Sequence, residues 1–373
     1  MGCVALAISA VACDRAPETE ASAESAASSE PESSSSVPKP SKKAGPVENI
    51  DSKERLAAVR LVEAVDPVAQ EIKIFRAEIR GAFDEKRFAW VEETAAELRG
   101  DDPALFPDGS WKFFHFYGAL DDRFHTGEDG FLTDLETHQV WEKEVPDSIA
   151  RRIALAELMV SYAWQARGSG YAHTVTPEGW KLMKERLDAA GKILKESREK
   201  GEVDVCWFST ALTLGIGQQW DKGLFDKLVA EALKAEPTYW HIQTERAYSL
   251  LPRWYGEEGD WQTYALEVAD ASEGLGDEAY ARIVMRQSDF YADVVRDGRA
   301  KWPHTKKGME TLLKKYPESI TLQNFAAMLG AYGRDREFSQ FWFEKLGDTY
   351  IMDIWTKPER FVHFRGWAET GQW

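Results

Sequence analysis

Cysteine is almost missing from this chain: three residues in 373, at positions 3, 13 and 206. A disulfide-stapled fold is excluded on that count, and Cys206, set in the apolar run VDVCWFSTAL, reads as a buried and inert thiol. Histidine is scarce too, seven in all, with no HExxH pairing and no close Cys/His set, so no metal or other cofactor is expected. Positive charge is in deficit: 46 Lys and Arg stand against 63 Asp and Glu, a net of −17. Such a surface repels phosphate backbones, which sets nucleic acid aside as a partner. Strand-like alternation is nearly absent, and with it a β or mixed fold.

What is present begins with MGCVALAISAVACDRAPETE. The nine-residue run from Val4 to Ala12 is apolar, closes on small residues, and precedes Cys13 and a polar stretch. This resembles a bacterial lipoprotein signal, in which residues 1–12 are removed and the Cys13 thiol carries lipid. The resemblance implies a membrane-anchored lipoprotein of the bacterial cell envelope, touching the membrane through its lipid alone. Nine residues cannot span a bilayer, which needs about 20. Ala10 stands where such signals favour Leu, and no basic residue precedes the run, as a start upstream of Met1 would explain. Met1-Gly2-Cys3 is the rival, an acylated N-terminus, but that motif needs Ser or Thr where Leu6 stands. An ordinary cleaved signal is the other alternative. Asp14 resembles the inner-membrane retention signal of some lipoproteins. Residues 13–49 are Ser, Glu, Ala and Pro with little to bury, and read as a disordered tether with an r.m.s. span of about 30–36 Å.

Residues 50–373 read as helix throughout. TPEGWKLMKERLDAAGKILKESREKG sets Trp180, Met183, Leu187, Ala190 and Leu194 on one stripe, with Thr176 as N-cap, Pro177 in the first turn and Gly201 as the stop. Phe88, Val91, Ala95 and Leu98 form a second stripe, and Ile149, Ile153, Ala156, Val160 and Ala163 a third. Phe106 to Trp141 reads as an irregular insertion with short helices. Further on, FDKLVAEALKAEPTYWHIQTERAYSLL and GMETLLKKYPESITLQNFAAMLGAYG share one plan: helix, Lys-rich end, Pro237 or Pro317, helix. First helices are placed near residues 223, 260, 304 and 335. That spacing resembles the 34-residue helix–turn–helix unit of tetratricopeptide repeats. The expected fold is an all-α, TPR-like helical-repeat solenoid preceded by the tether.

Two turns, SYAWQARGSG and YSLLPRWYGEEGDW, with FPDGSWKFFHFYGAL, resemble landmarks of an uncharacterised bacterial helical-repeat family known only as a domain of unknown function. The resemblance would span about residues 83 to 291 and implies the fold without an activity. The turns supply the candidate binding residues: Trp164 and Arg167 in one, Arg253, Trp254, Asp260 and Trp261 in the other. One reading has the arginines meeting an anionic group between aromatic walls; the other has them capping helix-end carbonyls. DDRFH (121–125) reads as a solvated loop rather than an acid–base cluster. The functional expectation is a scaffold that binds a protein or peptide partner, with no catalytic residue assigned. The alternative is an envelope hydrolase acting on glycan or peptide, marked by carboxylates converging in a cleft beside Trp164 and Trp261. A bare structural spacer is the third reading.

Overall fold

Helix caps set the boundaries of the structure. A computed structural model of the protein describes residues 61–373, apart from 101, 122–126, 169, 171 and 272. The signal-like segment, Cys13, the tether and residues 122–125 of DDRFH lie outside the described residues. The described residues form an all-α fold of sixteen α-helices with one pair of two-residue strands. The helices are α1 (Pro67–Asp84), α2 (Phe88–Leu98), α3 (Lys112–Leu120), α4 (Glu128–Glu144), α5 (Ile149–Arg167), α6 (Pro177–Glu199), α7 (Val205–Gln218) and α8 (Lys222–Ala235). There follow α9 (Trp240–Ser249), α10 (Asp260–Asp270), α11 (Asp277–Gln287), α12 (Trp302–Lys315), α13 (Ile320–Tyr332), α14 (Arg336–Leu346), α15 (Met352–Trp355) and α16 (Pro358–Thr370). The strands are β1 (Val62–Glu63) and β2 (Thr349–Tyr350).

Thr176 caps α6 by accepting the Gly179 N–H, Pro177 fills the first turn, and Gly201 ends the helix region at φ +77°. Ser148, Asp204, Asp221, Ser319 and Asp335 cap α5, α7, α8, α13 and α14 in the same way. The expected stripes face the core: Met183, Leu187, Ala190 and Leu194 are buried, as are Phe88, Val91, Ala95, Ile153, Ala156, Val160 and Ala163. Trp180 departs from its stripe and is 38% exposed. It sits in the first turn of α6, where the Arg167 guanidinium lies 5.5 Å from its ring.

Helices pack in sequential pairs, α5 with α6, α7 with α8, α9 with α10, α11 with α12 and α13 with α14. The first members also stack on one another, α5 on α7, α7 on α9 and α9 on α11, which builds a solenoid. Helices do start near the four expected points, but the intimate pairs are offset by one helix. The first members after α5 begin at residues 205, 240, 277 and 320. Pro237 and Pro317 therefore mark joints between units. The two joints are built alike: the Gln243 amide donates to the Pro237 carbonyl at 3.2 Å and Gln323 to Pro317 at 2.8 Å, each across six residues. Within a unit the approach is close. A Cβ on Gly308 of α12 would lie 1.9 Å from the Asp277 carbonyl oxygen of α11.

The Phe106–Trp141 stretch holds α3 but also most of α4, a regular helix of 17 residues. Its buried face runs Phe131, Asp134, His138 and Trp141, so half of the inward positions are polar and the hydrophobic period is masked. Asp134 tolerates burial because both its oxygens bind the Arg80 guanidinium, at 2.8 and 2.5 Å.

The first described segment lies across the solenoid. β1 pairs in parallel with β2 near the far end of the chain. The 105–111 loop is then held on α9 and α11: Trp240 Nε1 donates to the Gly109 carbonyl at 2.9 Å and Arg282 to that of Asp108 at 3.2 Å. Gly109 has φ +76°, and a Cβ there would meet Arg282 and Tyr316. α3 finally packs on α1, α5 and α7. Residues 61–120 thus run from the last repeat back to the first, over the layer of first helices.

Candidate functional site

A cleft opens between α3 and that layer, with about 520 Å³ of empty space counting the part open to solvent. α3 supplies Phe114 and Tyr117; α5 supplies Glu157, Val160 and Ser161; α9 supplies Tyr239 just before its start, then His241 and Glu245. α7 supplies Cys206, Ser209, Thr210 and Thr213, a stripe at i, i+3, i+4 and i+7. Successive first helices present their inward stripes to one space, and α3 roofs it.

The polar groups here are unevenly matched. No Lys or Arg lines the cleft. Glu157 and Glu245 are half-buried, and neither carboxyl makes a hydrogen bond or ion pair among the described residues. Desolvation raises both: Glu157 rises from 4.5 to about 7, with Arg76 opposing and Asp204 reinforcing the shift, and Glu245 rises against the pull of Arg286. His241 is stacked on both faces, against Phe114 at 3.9 Å and Trp240 at 3.7 Å. Burial first, then His115 and Arg282, hold its pKa well below the usual value, so the ring is neutral. Its Nε2 has no hydrogen-bond partner among the described residues.

The hydroxyls have already spent their hydrogens. Thr210 donates to the Cys206 carbonyl at 2.9 Å, Thr213 to that of Ser209 at 3.1 Å, and Ser161 to the Asp121 carboxylate. Ser209 reaches the Tyr239 oxygen at 3.5 Å, and Tyr117 donates to Asp204 at 3.0 Å. Lone pairs are what remain. Cys206 is buried and free, with its thiol pKa pushed up by burial and its Sγ 3.6 Å from the Tyr239 oxygen. Among the described residues no group of three His, Cys, Asp or Glu is placed to hold a metal.

The six candidate binding residues lie elsewhere, and none lines the cleft. Trp164 and Trp254 meet edge to face at 5.9 Å, and the Arg167 guanidinium lies 5.7 Å from the Trp164 ring. Arg167 donates to the carbonyls of Gly168 and Gly170 at 3.2 and 3.1 Å, closing the end of α5. Arg253 lies 4.9 Å over Phe290. Asp260 accepts the Glu257 N–H at 2.9 Å and so shapes the turn into α10. Trp261 is fully buried with its Nε1 donating to Tyr291 at 3.1 Å. In the same turn Gly256 admits no side chain, because a Cβ would stand 1.9 Å from the Leu250 carbonyl oxygen. The structure therefore brings together Trp164, Arg167 and Trp254, and leaves Arg253, Asp260 and Trp261 in separate settings. Sequence reasoning missed the cleft residues. A detectable signal was the Cys206–Ser209–Thr210–Thr213 stripe, small and polar at helical spacing inside an apolar helix.

Comparison of the chain with models of known protein families, with curated proteins and with solved structures returns no match. The site must be read from its own chemistry.

Proposed function

We propose that this chain is a ligand-binding helical-repeat scaffold, held at a bacterial envelope by lipid on Cys13, that takes part of a peptide or protein partner into the cleft beneath α3. The observation that supports it is the unpartnered pair Glu157 and Glu245, opening into an aromatic-walled space between successive repeats. Buried polar groups are normally satisfied within a fold, and groups left open in a concavity are available to a ligand. The lipid anchor rests on the sequence around Cys13. A photo-crosslinking residue at Thr213, in the cleft, should capture a partner that the same residue at Lys195, exposed on α6, does not. Equal capture from both positions, or none from Thr213, refutes the reading.

One observation favours hydrolysis as a second reading. Glu157, titrating at about 7, has the proton affinity of a general acid or base at neutral pH. The carboxylates converge in a cleft lined by neither Trp164 nor Trp261, so this differs from the site expected for a glycan or peptide hydrolase. Turnover of a labelled peptide or glycan that Glu157→Gln abolishes would establish it, and activity unchanged in that variant would remove it.

A further inference from the structure

Resting on the binding reading, we infer that the cleft recognises a protonated primary amine, carried either by a free small amine or by a lysine side chain of a peptide. The argument is a count of donors and acceptors. Glu157 and Glu245 bring carboxyls with no cation or donor beside them among the described residues, and no basic side chain lines the space. His241, 7% exposed and neutral, adds a ring whose Nε2 is unpartnered. Thr210 and Thr213 direct their hydrogens to backbone carbonyls of their own helix, leaving lone pairs toward the cleft. A ligand that completes such a surface must bring hydrogen-bond donors and positive charge, and must be small. An ammonium group has three donors and one charge, and no acceptor that would compete.

The walls fit the same ligand. Tyr117, Tyr239 and the Phe114–His241 stack border the carboxyls. Aromatic faces attract cations by roughly 0.5–2 kcal/mol when water is displaced. A carboxylate or phosphate ligand meets two like charges here and no counter-ion. A divalent metal is poorly served, since no three-ligand group is present among the described residues. The net charge of −17 draws cations toward the protein in general, whereas the cleft selects among them by its acceptors.

The test is calorimetric titration of the full chain with n-butylamine, 1,4-diaminobutane and a terminally blocked Gly-Lys-Gly peptide, against n-butanol, butyrate and tetramethylammonium. The amines should bind, with affinity falling at least ten-fold in Glu157→Gln/Glu245→Gln. Tetramethylammonium, which has the charge and no N–H, should bind at least ten-fold more weakly than n-butylamine. Tighter binding of the blocked peptide than of both free amines assigns the lysine source, and the reverse order assigns the free amine. If the double variant does not fold, Thr213→Trp serves in its place: it fills the cleft from α7 and should abolish amine binding, and amine affinity retained there overturns the inference. Binding of n-butanol or butyrate without the amines, lost in Thr213→Trp, overturns the amine assignment while leaving a ligand cleft. Absence of binding by all six probes overturns the amine assignment, and the Thr213 crosslink then decides the binding reading separately.

Discussion

The carboxylate of Asp66 accepts the backbone N–H of Val68 at 2.8 Å with one oxygen and that of Thr321 at 2.7 Å with the other. One buried side chain caps α1 and, 255 residues further on, the first turn of α13. Asp66→Ala removes a cap and strands a second N–H, which should cost about 1–3 kcal/mol. Thermal melting of the full chain reads the loss, and Asp66→Asn should recover part of it. A melting point unchanged in the alanine variant would show that the two ends do not depend on this contact.

Glu278 and Arg282 form an almost fully buried ion pair on α11, with Lys315 also on Glu278 at 2.5 Å. Arg282 further holds the 105–111 loop and lies 4.5 Å over Trp240. Glu278→Ala leaves a buried guanidinium without its counter-charge, and should destabilise the fold by about 3–5 kcal/mol. Lys315→Ala, from a half-exposed partner, should cost less than about 1 kcal/mol. Denaturant midpoints of the two variants test the contrast, and equal losses would contradict it.

The two arginines of the conserved-looking turns should behave differently from each other. Arg167→Ala exposes two carbonyls at the end of α5 and should cost about 1–3 kcal/mol. Arg253 contributes its contact with Phe290, so Arg253→Ala should cost about 0.5–1 kcal/mol. Neither lines the cleft, so folded protein of either variant should capture the crosslinked partner at the wild-type level. Loss of capture by folded Arg253→Ala would return these turns to the binding site.

Glu157 makes stability depend on pH. Its pKa is raised on folding from 4.5 to about 7, so between those values the folded state binds more protons than the unfolded state. Its contribution therefore falls as pH rises through that window and stays lost above about 7. Arg76 favours the charged form, Asp204 disfavours it, and the cleft also holds Glu245 and the neutral His241. Glu157→Gln should match wild type near pH 4 and exceed it by about 1–3 kcal/mol at pH 8. Denaturant titrations at the two values test this, and a variant less stable at pH 8 would show that the charged form has a partner.

Local rules carried the helices: Thr176, Pro177 and Gly201 bounded α6 in the sequence as they do in the structure. The repeat was legible through Pro237 and Pro317, although the pairing register was not. Which neighbour a helix grips most closely depends on contacts such as Gly308 against Asp277, which no period reveals. α4 was obscured because Asp134 and His138 occupy inward positions, one of them matched by Arg80 from another helix. The cleft was illegible for a related reason. Glu157 and Glu245 are single acids on helices 78 residues apart at their first residues' scale of separation, roughly two repeats, and only stacking of α5, α7 and α9 brings them to one space. Aromatic turns drew the eye instead, and Trp261 proved to be core.

The pairing of β1 with β2 has a consequence for how the chain is made. An open solenoid can fold repeat by repeat as it leaves the ribosome, each unit resting on the one before. Here Val62 and Glu63 are synthesised early, but their partners Thr349 and Tyr350 come near the end. The segment that roofs the cleft is held at one end by residues that do not yet exist when it emerges, so closure waits for the last repeats. Such long-range contacts slow folding and tie the two ends into one cooperative transition. A nascent chain halted before residue 321 would therefore carry its repeats without the clasp that joins them into a ring of contacts.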